Sequence, residues 1–268
     1  MATGWVIDHP AHARLLAPMM RELSSPEDVI IACERFEVRA MVENSDGHMP
    51  RRRTVWVPRP VGKGKWKKAW KRSRISRKAL KGVDKVISIG APIELRVAPK
   101  NARKIYITDT EVNQLAHRLA KPTDIIIPTH FLEKLAEPLM KKKARFHRID
   151  GLHAHIHLQP HIRPTEISNP PEILVRKLLG DGIHDSDEIL SIPDSWLEGL
   201  SINFSNENEV EGNPWELDLK VAQMNGVLTQ SVTLASEAVI LGVPTLLVTK
   251  AKRGFAQMTN SLYVCVCM

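Results

Sequence analysis

The amino-acid sequence predicts an α/β protein of two domains, each organised around a parallel sheet. Three observations carry that expectation. Short apolar runs alternate with stretches of helical periodicity through the first half, the pattern of successive βαβ units. The segment LQPHIRPTEISNPP, residues 158–171, interrupts the pattern with four prolines and reads as an extended linker. Beyond it the alternation resumes, so the domains are assigned as residues 1–160 and 161–268. Ligands of such sheets bind at the carboxyl ends of the strands, and a central cleft between the domains is the expected site.

The elements follow in order. Residues 5–7, WVI, end a first strand, and a helix over 13–23 follows with Leu15, Leu16, Met19, Met20 and Leu23 on one face. Residues 29–31 form a second strand with Cys33 in the same buried segment, and 34–43 a second helix. A third strand at 54–57 leads into a highly charged helix at 65–81. Strands at 86–89, 105–107 and 125–127 complete the first sheet, separated by helical stretches at 93–98 and 111–120. In the second half the strands are 173–175, 202–204, 226–228 and 245–248. The helix that opens near Thr233 is closed by Gly242 and Pro244, a glycine past the last turn and a proline shortly beyond.

Composition excludes several classes. At 268 residues the chain is long enough for two ordinary domains. No apolar run approaches the roughly 18 residues of a membrane helix. The opening MATGWVIDHP lacks the cationic and apolar regions of a secretory leader. Cys33, Cys265 and Cys267 have neither the spacing of a disulfide framework nor that of a zinc site, which fits a reducing cytoplasm.

The net charge of +8 is concentrated. RPVGKGKWKKAWKRSRISRKALK, residues 59–81, holds eleven Lys or Arg and no acid. Such a block anticipates an anionic acceptor or a membrane surface. Trp66 and Trp70, four apart amid lysines, share a helical face and suit a membrane interface, although a solvated helix accounts for the charges equally well. No recognisable reader argues for nucleic acid. The expected location is cytoplasmic, with a peripheral position at the inner membrane face.

Three polar clusters fall where strands hand over to helices. In Asp8-His9-Pro10-Ala11-His12, His12 and His9 are candidate general bases because histidine titrates near working pH. Asp8 can orient a ring nitrogen, and Pro10 fixes the turn. The competing reading is that both histidines only satisfy backbone groups at the helix start. In TDTE, residues 108–111, Asp109 and Glu111 directly follow a strand and are either an acid–base pair or a helix cap. In SVTLASEAVILGVP, residues 231–244, a Ser/Thr-rich helix start offers N–H donors and a positive dipole end to a phosphate. Glu237 lies one turn inside and can accept hydrogen bonds from a ribose diol; an ordinary capped helix is the alternative.

VIDHPAH at 6–12, ITDTEVNQLAHRLAKPTDIIIPTHF at 107–131, DGLHAHIHLQP at 150–160, LVRKLLGDGIHD at 174–185 and TLASEAVILGVP at 233–244 occur in this order over nearly the whole chain. In this set the chain resembles a prokaryotic, mainly archaeal family, domain-of-unknown-function family 354, related to two-domain GT-B type glycosyltransferases and nucleotide-sugar epimerases. The resemblance implies two Rossmann-like domains facing a central cleft, with a shortened C-terminal domain. Gln230 and Val232 stand where the family has glycines before its helical threonine.

The activity implied by the resemblance is transfer of a sugar from a nucleotide diphosphate sugar to an acceptor hydroxyl, with no metal and no resident cofactor. His12 falls where related inverting glycosyltransferases project a histidine base toward the acceptor. Thr233, Ser236, Glu237, Arg176, His184 and Asp185 are the implied donor-binding residues, with the helix N-terminus and Arg176 stabilising the departing diphosphate. If Asp109 and Glu111 are the essential pair, a nucleotide-sugar epimerase is the better description. A nonenzymatic protein that binds anionic surfaces through residues 59–81 is the third reading.

Overall fold

The computed structural model describes residues 1–158, 167–177, 190–205, 213–250 and 254. They divide into two compact units, Met1–His153 and Ala154–Met268. Most of the proline-rich segment, His184, Asp185, Cys265 and Cys267 lie outside the described residues.

The first unit contains strands β1 (Thr3–Ile7), β2 (Val29–Cys33), β3 (Arg53–Val57), β4 (Lys85–Ile89), β5 (Arg103–Ile107), β6 (Asp124–Pro128) and β7 (Arg145–Ile149). Their order is β3-β2-β1-β4-β5-β6-β7 and every pairing is parallel. Helices α1 (Pro10–Leu23), α2 (Phe36–Glu43), α3 (Lys65–Ala79), α4 (Pro92–Val97), α5 (Gln114–Leu119) and α6 (Glu137–Met140) make the connections. β1 and β2 are buried at every position, as central strands covered on both faces must be. Val6, Ile31, Val86, Tyr106 and Ile125 form the core with Leu95 of α4 and Leu139 of α6. Strand order reverses between β1 and β4, so a crevice opens at the carboxyl ends of these two strands.

The second unit is built on β8 (Glu172–Arg176), β9 (Ser201–Phe204), β10 (Gly226–Thr229) and β11 (Thr245–Leu247), in the parallel order β11-β10-β8-β9. Its described helices are α7 (Leu217–Gln223) and α8 (Val232–Ile240). Val175, Ile192, Leu228 and Val248 form a separate core. Here the order reverses between β8 and β10. Helix α8 stops as the sequence predicts: the Gly242 N–H donates to Val239 and the Val243 N–H to Ala238, with Gly242 at φ +75°.

Each strand expected from apolar runs is present, and β7 is additional. Its sequence RFHRI is polar and largely exposed because it pairs on one side only, so no apolar run announces it. Helix α1 starts three residues earlier than its apolar periodicity, because Pro10 occupies a first-turn position where its fixed φ and missing N–H do no harm. Helix α5 starts three residues later than expected, where the Asn113 side chain accepts from the Ala116 N–H. No helix among the described residues is long and apolar enough to cross a membrane.

Candidate functional site

The early start of α1 places His12 inside its first turn rather than in a loop. His9 is the N-cap, and its Nδ1 accepts from the Ala11 N–H at 3.2 Å. His12 Nδ1 accepts from the Asp8 backbone N–H at 3.3 Å. A neutral ring whose Nδ1 accepts carries its proton on Nε2, so His12 offers an N–H donor there rather than a lone pair. Burial, reinforced by Arg35 and Arg72, pushes its pKa down to about 4 against the opposing pull of Asp8 and Asp109. The ring is therefore neutral near pH 7.

The Asp8 carboxylate does not orient His12. Instead it accepts from Arg72 Nη1 at 2.7 Å, and Arg72 holds Glu94 in a two-point contact at 2.8 and 2.9 Å. Ser76 Oγ completes the set by donating to Glu94 at 2.8 Å. Arg72, Ser76 and Glu94 are buried. Burial raises the Asp8 carboxyl, but Arg72 and His12 outweigh it and hold the group at about 2. Behind it, burial and the Asp8 charge push the Cys33 thiol up to about 12, which makes it an unreactive core residue. A single arginine from the basic run thus anchors the first strand–helix turn.

Across the reversal point the carboxyl ends of β5 and β6 add a second group. Asp109 follows β5 directly, and 55 % of its side chain is exposed. His153 Nδ1 lies 3.4 Å from its Oδ2. Loss of hydration raises the Asp109 carboxyl, but the charge and hydrogen bond of His153 dominate and hold it well below the usual carboxylate range. His130, after β6, is half-buried; burial depresses its pKa against the pull of Asp109. His12, His130 and His153 all feel the Asp109 charge, so four titratable side chains converge on one edge. Between the two groups lies Gly90, at φ +59°, with open space where a Cβ would project. Among the described residues no set of three or more His, Cys, Asp or Glu is spaced to hold a metal ion.

Glu111 is not presented with Asp109. Because α5 starts late, Glu111 sits in the connecting loop, turned inward, where it accepts from the Leu132 N–H at 3.2 Å and ties that loop to the one after β6. His130 and His153 were not singled out from the sequence. His130 carries the same signal that marks Asp109, a polar residue just past an apolar strand, here in DIIIPTH.

In the second unit Ser231, rather than Thr233, caps α8, its Oγ accepting from the Leu234 N–H at 3.4 Å. Thr233 is exposed in the first turn, where helix geometry leaves N–H groups pointing outward. Ser236 Oγ donates to the Thr233 carbonyl at 2.7 Å. Arg176 ends β8 beside this turn, its carbonyl accepting from the Gln230 N–H. Gln230 is buried and its side chain donates to the Leu190 carbonyl. Glu237 is enclosed on α8, 3.8 Å from His157 Nε2. It faces the interior of its unit, because position 237 falls on the same face as Leu234, Ala238 and Leu241.

These features define the class: an α/β protein of two Rossmann-like domains of GT-B type, each with a reversal of strand order in its parallel sheet. Solved structures agree. A Listeria monocytogenes protein assigned as a UDP-N-acetylglucosamine 2-epimerase is 12 % identical over 98 % of this chain and 83 % of its own, with a TM-score of 0.65. The Methanocaldococcus jannaschii UDP-GlcNAc 2-epimerase, solved in complex with UDP-GlcNAc and UDP, is 13 % identical over 100 % of this chain and 89 % of its own, with a TM-score of 0.64. The glycosyltransferase of kitacinnamycin is 12 % identical over 100 % and 86 %, with a TM-score of 0.54. No family model matches the chain. No curated protein matches it either.

Proposed function

We propose that the protein acts on a nucleotide diphosphate sugar by acid–base chemistry at the first sheet's edge. The observation that carries the reading is the convergence of His12, Asp109, His130 and His153 on that edge, beside the opening at Gly90. The substrate class is supported by the α8 N-terminus, a ready anion site, and by the fold shared with enzymes of UDP-GlcNAc. His130, neutral and half-exposed, is the group placed to take a proton, and ionised Asp109 stabilises the imidazolium that forms. His12 donates from Nε2 to a substrate oxygen.

Such a set of acids and bases suits proton transfer at a sugar carbon, hence epimerisation. The second reading is glycosyl transfer with His12 as the base for an acceptor hydroxyl. It is favoured by the place of His12 at the first strand–helix turn, and it requires the ring to exchange its bond with the Asp8 N–H. Incubation with UDP-sugars in D2O decides between them. Carbon-bound deuterium without an acceptor identifies epimerisation; a product formed only with an added hydroxyl acceptor identifies transfer. Absence of any thermal stabilisation by UDP or UDP-sugars would remove both, since ligand at a hundredfold excess over Kd adds about 2.7 kcal/mol.

A further inference from the structure

Helix α3 has two unlike faces. Arg72, Ser76 and Ala79 are buried against the domain. The opposite face carries Trp66, Trp70, Arg74 and Lys78, four residues apart, so they form one stripe along the helix, and Lys81 follows just past its end. Trp66 is 76 % exposed and Trp70 63 %. Large aromatic side chains left in water amid cations cost hydrophobic free energy unless another phase covers them. Cations hold both rings outward: Lys65 Nζ lies 5.7 Å from the Trp66 ring centre and the Arg74 guanidinium 4.8 Å from that of Trp70.

At the far end of the stripe is an open recess of about 640 Å³ between α3 and the segment after α4. Arg74, Arg77, Lys78, Lys81 and Lys100 line it, and no acid does. The positive field continues beyond it: Lys142 is pushed down first by burial and then by the like charges of Arg96 and Lys121. A recess lined by five cations and no anion is built for phosphate oxygens.

We infer that the outer face of α3 docks on an anionic lipid bilayer, with Trp66 and Trp70 at the headgroup level and lipid phosphates in the recess beside Lys100. A bilayer meets both demands of the stripe, since indole rings partition to the interface while Lys and Arg bind the negative surface. The stripe carries no Asn or Gln to pair with adenine, and its two exposed indoles alternate with cations in the pattern of an interfacial helix. The docking is independent of the reaction proposed above.

The test uses the full chain with vesicles of phosphatidylcholine, alone or mixed with phosphatidylglycerol. Expected are cosedimentation with the mixed vesicles only, weakening with salt, and a blue shift of tryptophan emission. Lys78→Ala with Lys81→Ala should weaken binding roughly 25-fold, about fivefold per cation. Trp66→Ser with Trp70→Ser should abolish the blue shift, and both variants should melt as the parent does because these side chains are exposed. Equal binding to both vesicle types, binding to neither, or parent-like binding by the lysine variant would each overturn docking. So would displacement of the bound vesicles by a single-stranded oligonucleotide, which would name a nucleic-acid partner instead.

Discussion

In the first unit the carboxyl edge of the sheet is lined with charged side chains that hold one another, whereas the second unit presents mainly a helix start. Asp8, Arg72, Glu94 and Ser76 form a continuous chain of bonds, and Asp109 is paired with His153. The second edge offers α8, with Ser231 at its cap and exposed Thr233 in its first turn. The difference suits the two edges to different labour. Side chains can exchange protons, and their pKa values can be moved by neighbours. Backbone N–H groups cannot, but they bind phosphate at any working pH. On the proposed function, chemistry belongs to the first edge and anchorage to the second.

Substitutions can break that contrast, beginning with the largest effects. Asp109→Asn should lower turnover by roughly two to four orders of magnitude while leaving UDP affinity within about twofold. Equal loss of UDP binding, measured by calorimetry, would show that the first edge also anchors the nucleotide. His130→Gln and His12→Ala should be read beside it. A larger loss in the His130 variant supports epimerisation, and a larger loss in the His12 variant supports transfer.

Next in size is Arg72→Met. It leaves Glu94 buried without its cation and should destabilise the first unit by about 3–5 kcal/mol in urea unfolding. Adding Glu94→Gln to that variant should recover part of the loss, because the stranded charge is then gone. A surface-like cost, under about 1 kcal/mol, would mean that the network has little hold on the turn.

Acid unfolding tests the first edge in a third way. His12 sits at about 4 in the fold against 6.5 for an ordinary histidine, so the unfolded chain takes up the proton first as pH falls. Stability is thus fully present above pH 6.5 and declines across the window down to about 4. His130, also depressed, adds to the same decline. Asp8 acts lower: its contribution is present above its unfolded value of 3.8 and is lost as pH falls through about 2. His12→Gln should flatten the slope of the urea midpoint between pH 6.5 and 4. An unchanged slope would place the ring in water.

The smallest effect falls on the second edge. Ser231→Ala removes one cap bond and should cost about 0.5–1 kcal/mol, with a modest drop in UDP affinity. Glu237→Gln should act on stability as well as binding, since the carboxylate is enclosed beside His157.

How far the sequence discloses this arrangement depends on whether a residue's role is local. Apolar runs flanked by polar turns located the strands of both cores, and Gly242 and Pro244 marked the end of α8. β7 escaped because an edge strand needs no apolar face on both sides. Asp109 and His12 stood out by their place after a strand. The bond from Asp8 to Arg72 did not, because it spans 64 positions and ends in a run of cations that reads as solvated. Burial of Glu111 was hidden for a related reason: the acceptor role toward Leu132 depends on where a neighbouring loop passes.

The two-faced α3 has a consequence for how this chain tolerates insertions and deletions. Each residue advances a helix by about 100°, so one residue gained or lost between Trp70 and Arg72 would turn both indoles relative to Arg72 by that angle. Arg72 is fixed by its bonds to Asp8 and Glu94, which leaves the tryptophans to move off the outward meridian. A change of seven residues, nearly two full turns, returns both faces to register. Length variation in this helix should therefore come in steps near seven, even though most of its surface is exposed lysine and arginine.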